Sequence, residues 1–555
     1  MKAAQASTHA RPVSRSKSRM VIAIACFFGV YAVIGGRLVQ YGLATVDQGQ
    51  HFAATDRSLA SRPDIVDRNG DVLATDIHVA SLYGEPRRIV DADEAVEALS
   101  SVLPDVDYKE WHRKLSSGAG FVWLRRELTP RQQADVLALG IPGLGFRTEK
   151  RRFYPGGPLA SHILGLVNID NAGIAGLEKY IDDQGLGTMQ DLGLDIATDL
   201  APVKLSLDAR VQYIVRDELN HALDLYQAIA AGAVVLNVRT GEVVAMASLP
   251  DYDPNNPFNA LDKDRLNRMS GGVFEMGSTF KSFTTAMALD SGMVNMNSRV
   301  DTRPFRVAGY TIKEFHNKGS SLTVPEIFKY SSNVGSAREA DMVGVEGHKA
   351  FLTRLGLLSR LDTELPEVAT PTQPQEWKKI NSMTISFGHG VATTPLNTAV
   401  AAAALMNGGW LIPPTFLPRS AEEAQGLAKR VISEQTSDNM RELFDLNGAH
   451  GSGRQALVEG YDVGGKTGTA EKVINGRYVG NKRFNAYLAS FPIRNPEYIV
   501  LVVVDEPKPV PGSGQGATAA SNAAPTAGAI IRRAAPLLGL TPEFGKGDDA
   551  LLVSY

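Results

Sequence analysis

The sequence predicts an α+β multidomain chain: a single N-terminal transmembrane helix, a separate α+β module, and a larger domain whose mixed sheet carries a helical insertion. Three observations predict it. At 555 residues the chain exceeds one ordinary domain and has material for more than one core. Met20 to Gly36 holds no charged residue and is nearly all apolar, and Leu38 and Val39 follow Arg37, giving a helix of about 20 residues that could cross a bilayer. Near Ala201-Pro202, short mixed segments bounded by turn residues give way to an amphipathic helix and strand pairs.

The expected organisation is a cytoplasmic tail at 1–19, a transmembrane anchor at 20–42, a non-catalytic module at 43–200, a second domain at 201–545 and a tail at 546–555. The tail before the span carries Lys2, Arg11, Arg15, Lys17 and Arg19 and no acidic residue, which keeps it in the cytoplasm and puts the rest of the chain outside. A cleaved signal peptide ending near Gly42-Leu43-Ala44 is the alternative, but the apolar stretch is longer than a signal-peptide core of about 7 to 15 residues. The only cysteine, Cys26, falls in the span, which excludes a Cys nucleophile, a Cys-ligated zinc and a disulfide scaffold for the exported part. With 44% hydrophobic and 21% charged residues the chain is globular, and a net charge of -3 leaves no footprint for nucleic acid.

In the first module, Asp67-Arg68-Asn69-Gly70 and Pro155-Gly156-Gly157 are turn signals. The second domain opens with an amphipathic helix, Leu205 to Leu225, capped by Ser206 or Asp208. A hairpin follows, Ala233 to Asn237 and Val243 to Ala247 around Arg239-Thr240-Gly241. A second hairpin, Val463 to Ile474 and onward from Tyr478, turns at Asn475-Gly476. Tyr498 to Val504 is a continuous apolar run fit for a central strand, Pro511 to Ala524 reads as a mobile surface loop, and Ala524 to Leu537 reads as a closing helix.

Between the hairpins lie the residues that carry chemistry. Ser278-Thr279-Phe280-Lys281 runs into a helix-forming stretch, and residues i and i+3 share a helix face, which sets the Lys281 amine beside the Ser278 hydroxyl. A serine needs a neighbouring base to become a nucleophile, and Lys281 serves only when neutral; burial, the helix dipole and a second cation would each lower its proton affinity. Lys466 is the candidate second cation. On a strand, Thr467 and Thr469 share one face, where two hydroxyls suit a carboxylate, while Gly468 permits a substrate backbone to lie close. Lys466 points to the opposite face, so alternation alone leaves open whether its amine reaches the nucleophile. Ser331 and Asn333 offer a hydroxyl for proton relay and an amide for a substrate peptide group. Each motif is weak alone: Ser14 to Lys17 repeats the first and Ser437-Asp438-Asn439 the second, the latter read as a helix start.

Taken in order, Ser-x-x-Lys, Ser-x-Asn and Lys-Thr-Gly resemble the signature set of penicillin-binding proteins and class A β-lactamases. Arg62-Pro63-Asp64-Ile65-Val66-Asp67-Arg68-Asn69-Gly70, Arg152-Phe153-Tyr154-Pro155 with Gly165, and Gly176-Leu177-Glu178 resemble the pedestal domain of class B penicillin-binding proteins, which lactamases lack. Phe387-Gly388-His389-Gly390 and Thr394-Pro395-Leu396 are similar to elements of that family's transpeptidase domain. The resemblance covers nearly the whole chain after the anchor. It implies an elongated, dimerisation-type pedestal followed by a mixed α/β penicillin-binding domain, an antiparallel sheet with helices on both sides. The Phe274-Glu275-Met276-Gly277 context before Ser278 resembles the septal type more than the side-wall elongation type. Two departures stand out: Pro63 replaces a more usual glycine, and His389 fills a variable position and is given no catalytic role.

The resemblance also implies roles. Ser278 attacks the carbonyl between the terminal D-alanines of a stem peptide, Lys281 is the base, and Ser331 and Lys466 pass the proton to the departing D-alanine. Asn333 holds a substrate amide, Thr467 and Thr469 hold the terminal carboxylate beside Gly468, and the Ser278 and Thr469 N–H groups form an oxyanion hole. No metal or organic cofactor is implied. The partners implied are peptidoglycan stem peptides ending in D-Ala-D-Ala, β-lactam antibiotics as covalent inhibitors, the inner membrane through the N-terminal helix, and a glycosyltransferase of the division machinery. The alternatives are hydrolysis of the acyl-enzyme, an elongation-type transpeptidase, and a scaffold or sensor that is acylated without turnover.

Overall fold

The computed structural model describes Gly29 and residues 62–186, 200–315, 318–474 and 476–544. Apart from Gly29, the expected tail and span at 1–42 lie outside the described residues, as do Asn475 of the second turn and the tail at 546–555. Among the described residues no helix is long and apolar enough to cross a membrane.

In the first module the long strand Val72–Gly84 pairs antiparallel with Leu144–Phe153, with Val122–Leu128 and with the short Ile65–Val66. Three helices pack on this sheet, and their starts are written in the sequence. Asp91 caps Ala92–Val102, Asp107 caps Tyr108–Leu115, and Thr129 with Gln132 closes a capping box on Pro130–Ala138. Leu82, Val96, Leu99, Trp111 and Leu124 form their common core. Ile65–Val66 also pairs in parallel with Val203–Lys204.

The pedestal motifs converge on one buried ionic cluster. Glu178, fully enclosed, accepts from Arg62 Nε at 2.9 Å and Arg152 Nε at 2.6 Å. Arg152 reaches Asp76 at 3.1 Å and donates to the Pro63 carbonyl at 2.9 Å, while Arg62 pairs with Asp182 at 2.7 Å. Residues 60–555 form one compact unit, and side chains span its two parts. Asn255 pairs its amide with both the N–H and the carbonyl of Tyr154, and Arg68 donates to Glu242 at 2.9 Å.

The second domain is built on a five-stranded antiparallel sheet in the order Gly464–Ile474, Arg477–Phe491, Tyr498–Asp505, Ala230–Asn237, Val243–Leu249. Tyr498–Asp505 is central, and Tyr498 to Val504 is apolar at every position because both faces are covered. On one side Val500, Val502 and Val504 meet Val211, Val215 and Leu219 of the helix Ala209–Tyr226 and Ile530 and Ile531 of the last helix, Ala523–Ala534. On the other, Ile499, Leu501 and Val503 belong to the core that holds the inserted helices Lys281–Asp290, Pro395–Met406 and Glu434–His450. This matches the expected antiparallel sheet with helices on both sides.

Three local expectations change. Asp208, not Ser206, caps the first helix; the Ser206 hydroxyl donates to the Val243 carbonyl at 2.7 Å. Ser437-Asp438-Asn439 lies inside a helix that already starts at Glu434 under a Ser433 cap, because Ser437 is buried and used to bond Leu405 and Gly408. The loop at 511–524 is exposed at its start, but Ala517 and Ala519 are pinned to Asn485 and Thr469.

Candidate active site

Ser278 sits in the 3-10 turn Gly277–Phe280, which runs directly into the helix Lys281–Asp290. This turn is wedged between two other elements by close backbone approach. A Cβ on Gly468 would lie 2.3 Å from the Met276 carbonyl oxygen, and one on Gly388 would lie 1.9 Å from that of Gly277. The space that Gly468 opens is therefore filled by the protein's own 276–279 backbone, not by a substrate backbone. Gly388 stands in the Phe-Gly-His-Gly element, so one junction joins three of the sequence motifs.

Lys281 is 1% exposed and its amine has three oxygen partners: the Ser331 carbonyl at 2.6 Å, Ser331 Oγ at 3.0 Å and Asn333 Oδ1 at 2.7 Å. Ser278 Oγ is not among them. The i to i+3 spacing puts both groups on one face, but the amine turns toward the 331–333 turn because three acceptors converge there. Ser331 makes this possible by a left-handed backbone (φ 56°) at the end of the helix Val324–Tyr330, which aims its carbonyl and its hydroxyl the same way. Such a conformation in a non-glycine residue is a feature of functional sites.

Lys466 reaches Ser331 of the second motif with its amine. It leaves the opposite face from Thr467 and Thr469, lies fully buried with its amine 5.8 Å from the Phe328 ring centre, and donates to Ser331 Oγ at 3.0 Å. Ser331 Oγ thus receives both lysines. Burial lowers the proton affinity of Lys466, to a pKa of about 7. Burial, and then the charge of Lys466, holds Lys281 well below the ordinary lysine value, with Glu314 and Glu339 opposing. Both amines have only neutral acceptors.

The strand Gly464–Ile474 is at the sheet edge, with no further strand among the described residues paired to its outer side. Thr467 Oγ1 shares a hydrogen bond with Ser452 Oγ at 2.6 Å, and Thr469 Oγ1 accepts from the Ala519 N–H at 3.1 Å, which leaves the Thr469 hydroxyl hydrogen free to donate. Because Lys281 occupies Asn333 Oδ1, the group Asn333 has for a substrate is its amide N–H. A groove of about 610 Å³ opens at Asn333, walled by Tyr310, Ile312, Phe315, Ile380 and Phe387.

Three carboxyl groups at the site have no local sequence signal. Glu314 accepts from Ser332 Oγ and from the N–H groups of Asn333 and Val334, capping the helix Asn333–Val343. Glu339, on that helix and fully buried, accepts from Thr285 Oγ1 at 3.0 Å; burial raises its pKa to about 8. Glu275 ties His389, Gly390 and Tyr478 together.

A domain that buries two lysines around one serine turn, behind a separate α+β module, has the architecture of a class B penicillin-binding protein. Residues 231–532 match the penicillin binding protein transpeptidase domain and residues 57–189 the penicillin-binding protein dimerisation domain, and the chain belongs to this family. Among relatives, it is 37% identical over 547 residues to the probable peptidoglycan D,D-transpeptidase FtsI of Caulobacter vibrioides, covering 96% of this chain and 90% of that protein. It is 35% identical to the probable peptidoglycan D,D-transpeptidase PenA of Neisseria meningitidis, over 88% of each chain. It is also 32% identical to the peptidoglycan D,D-transpeptidase FtsI of Escherichia coli, over 81% of this chain and 79% of that one.

Proposed function

We propose that this chain is a penicillin-sensitive peptidoglycan D,D-transpeptidase that cross-links stem peptides through an acyl-enzyme on Ser278 at the division septum. The observation that carries this reading is the pair of buried lysines meeting at Ser331 Oγ, with no carboxylate among the described residues bonded to either amine. Lys281, uncharged, takes the Ser278 proton as Oγ attacks the carbonyl between the terminal D-alanines. The N–H groups of Ser278 and Thr469 receive the oxyanion, an interaction worth roughly 3 to 4 kcal/mol per donor. Collapse breaks the peptide bond, and the departing amine takes its proton from Lys281 by way of Ser331 and Lys466. The amine of a neighbouring stem peptide then attacks the ester, loses a proton to Lys281 and restores the Ser278 hydroxyl.

During this the donor peptide runs along the open edge of Gly464–Ile474, with its carboxylate on Thr467 and Thr469 and a peptide carbonyl on the Asn333 amide. The apolar stretch at 20–42 anchors the chain in the inner membrane with residues 1–19 in the cytoplasm. The pedestal and span offer docking surfaces to a septal glycosyltransferase. The names of the relatives from Caulobacter vibrioides and Escherichia coli support the septal assignment.

Covalent labelling with a fluorescent penicillin tests the reaction. A persistent adduct on the native protein that is absent from folded Ser278→Ala is expected. Rapid release of label would make the protein a hydrolase, and no adduct on folded native protein would leave a scaffold. A fluorescent fusion spread evenly along the side wall, with no midcell enrichment, would overturn the septal assignment.

A further inference from the structure

The nucleophile segment is fastened from the front by two neighbouring side chains. Phe274 forms a two-way backbone bridge with Thr393 (2.9 and 3.0 Å), and its ring stacks on Phe484 of the strand Arg477–Phe491, with centres 4.2 Å apart and planes within 5°. The next residue, Glu275, reaches the other way. Its Oε1 accepts from the Gly390 N–H at 2.7 Å and from the Tyr478 hydroxyl at 3.1 Å, and its Oε2 accepts from His389 Nδ1 at 3.0 Å. The His389 ring stands edge-on to Tyr478 at 5.4 Å and to Phe387 at 5.7 Å.

These partners come from separate parts of the fold. His389 and Gly390 follow Gly388, whose backbone abuts Gly277 beside the nucleophile. Tyr478 pairs with Val473 on the arm of the hairpin that carries Thr467 and Thr469. One carboxylate therefore joins the nucleophile turn, the Phe387–Gly390 loop and the carboxylate-binding hairpin. The glycine junction gives these elements contact without directional bonds, and the Glu275 bonds supply direction. Glu275 touches none of the groups that react, and its side chain is 16% exposed.

We propose that Glu275 is a positioning residue for acyl transfer, whose carboxylate fixes the hairpin and the His389 loop against the nucleophile turn and so sets the spacing between Ser278 and Thr469. Misplacement by about 1 Å costs on the order of 100-fold in rate, so a loosened hairpin slows the chemical step more than it weakens binding. The proposal rests on Ser278 being the acylated residue.

Stopped-flow acylation of the full-length protein by a fluorescent penicillin separates the binding constant from the rate of the covalent step. Glu275→Ala is expected to lower the covalent rate roughly 10- to 100-fold with binding changed far less, while every folded molecule still labels in time. Glu275→Gln, which keeps one carbonyl acceptor, is expected to recover part of the rate, and Tyr478→Phe to cause the smallest loss. A structural role alone would lower the fraction of protein that labels and leave the rate of the rest unchanged, and that result overturns the proposal. Amide hydrogen exchange gives a readout independent of acylation. Faster exchange confined to residues 387–390 and the 472–480 arm in Glu275→Ala supports the proposal, and native-like exchange there overturns it even if Ser278 proves not to be acylated.

Discussion

Two clusters among the described residues each bury a pair of cations, and they do so in opposite ways. In the pedestal, Arg62 and Arg152 are enclosed with Glu178, Asp76 and Asp182, every guanidinium facing a carboxylate. Burial alone would lower the proton affinity of Arg152, but the charges of Glu178 and Asp76 outweigh it and raise it. In the catalytic domain Lys281 and Lys466 are just as enclosed, yet their partners are hydroxyl, carbonyl and amide oxygens, and both lose proton affinity. Arginine suits the first task because it keeps its charge and forks onto carboxylates; lysine suits the second because burial can neutralise it. A buried cation with a counter-ion holds structure, and one without a counter-ion is available for proton transfer.

Breaking either arrangement should show the difference. The largest effect is expected from Lys281→Met: acylation by penicillin falls roughly 100- to 10,000-fold, the usual worth of a general base. Thermal unfolding of that variant should show a melting temperature at or above the native one, since a buried amine bonded to no carboxylate is removed. Arg152→Met should do the reverse. Losing one partner of a buried charged cluster costs about 3 to 5 kcal/mol, seen as a lower denaturation midpoint, while the acylation rate per folded molecule stays native.

A third prediction sharpens the contrast through pH. Glu339 has a folded pKa raised from 4.5 to about 8 by burial, so the folded state holds a proton that the unfolded state releases. The stability from holding it is present below about pH 4.5 and lost as pH rises toward 8, at about 1.4 kcal/mol per pH unit. Glu339→Gln, neutral at every pH, should therefore gain on the native protein across that window in urea unfolding, and parallel curves would show that Glu339 is ionised throughout. The smallest effect is expected from Ser437→Ala, which loses bonds to Leu405 and Gly408 worth about 1 kcal/mol each and leaves penicillin labelling unchanged.

How much of this was legible in the sequence depended on distance along the chain. Lys281, Ser331 and Lys466 stood out because three short motifs in order resemble a family, and the central strand because Tyr498 to Val504 is apolar at every position. Local capping chemistry narrows the start of the helix Ala209–Tyr226 to Ser206 or Asp208, and Asp208 caps it. Glu314 and Glu339 left no trace because their partners lie 18 and 54 residues away, and nothing local distinguishes them from surface acids. Ser331's left-handed turn was equally hidden, since serine has no propensity for it. Gly468 read as room for substrate because a strand glycine announces close approach without saying of what. Ser437-Asp438-Asn439 shows the opposite failure, a triplet that copies the motif but is spent on helix packing.

Among the described residues no carboxylate bonds directly to either lysine, and lysine titration tests the consequence most directly. The full-length protein in detergent, labelled with 13C at lysine Cε, would be followed by NMR across pH, with Lys281→Met and Lys466→Met assigning the signals. One resonance is expected to titrate near 7 and to vanish in Lys466→Met, and a second, lost in Lys281→Met, to titrate well below the ordinary lysine value of 10.5. If both titrate with the surface lysines, the amines are charged at neutral pH and neither is the base.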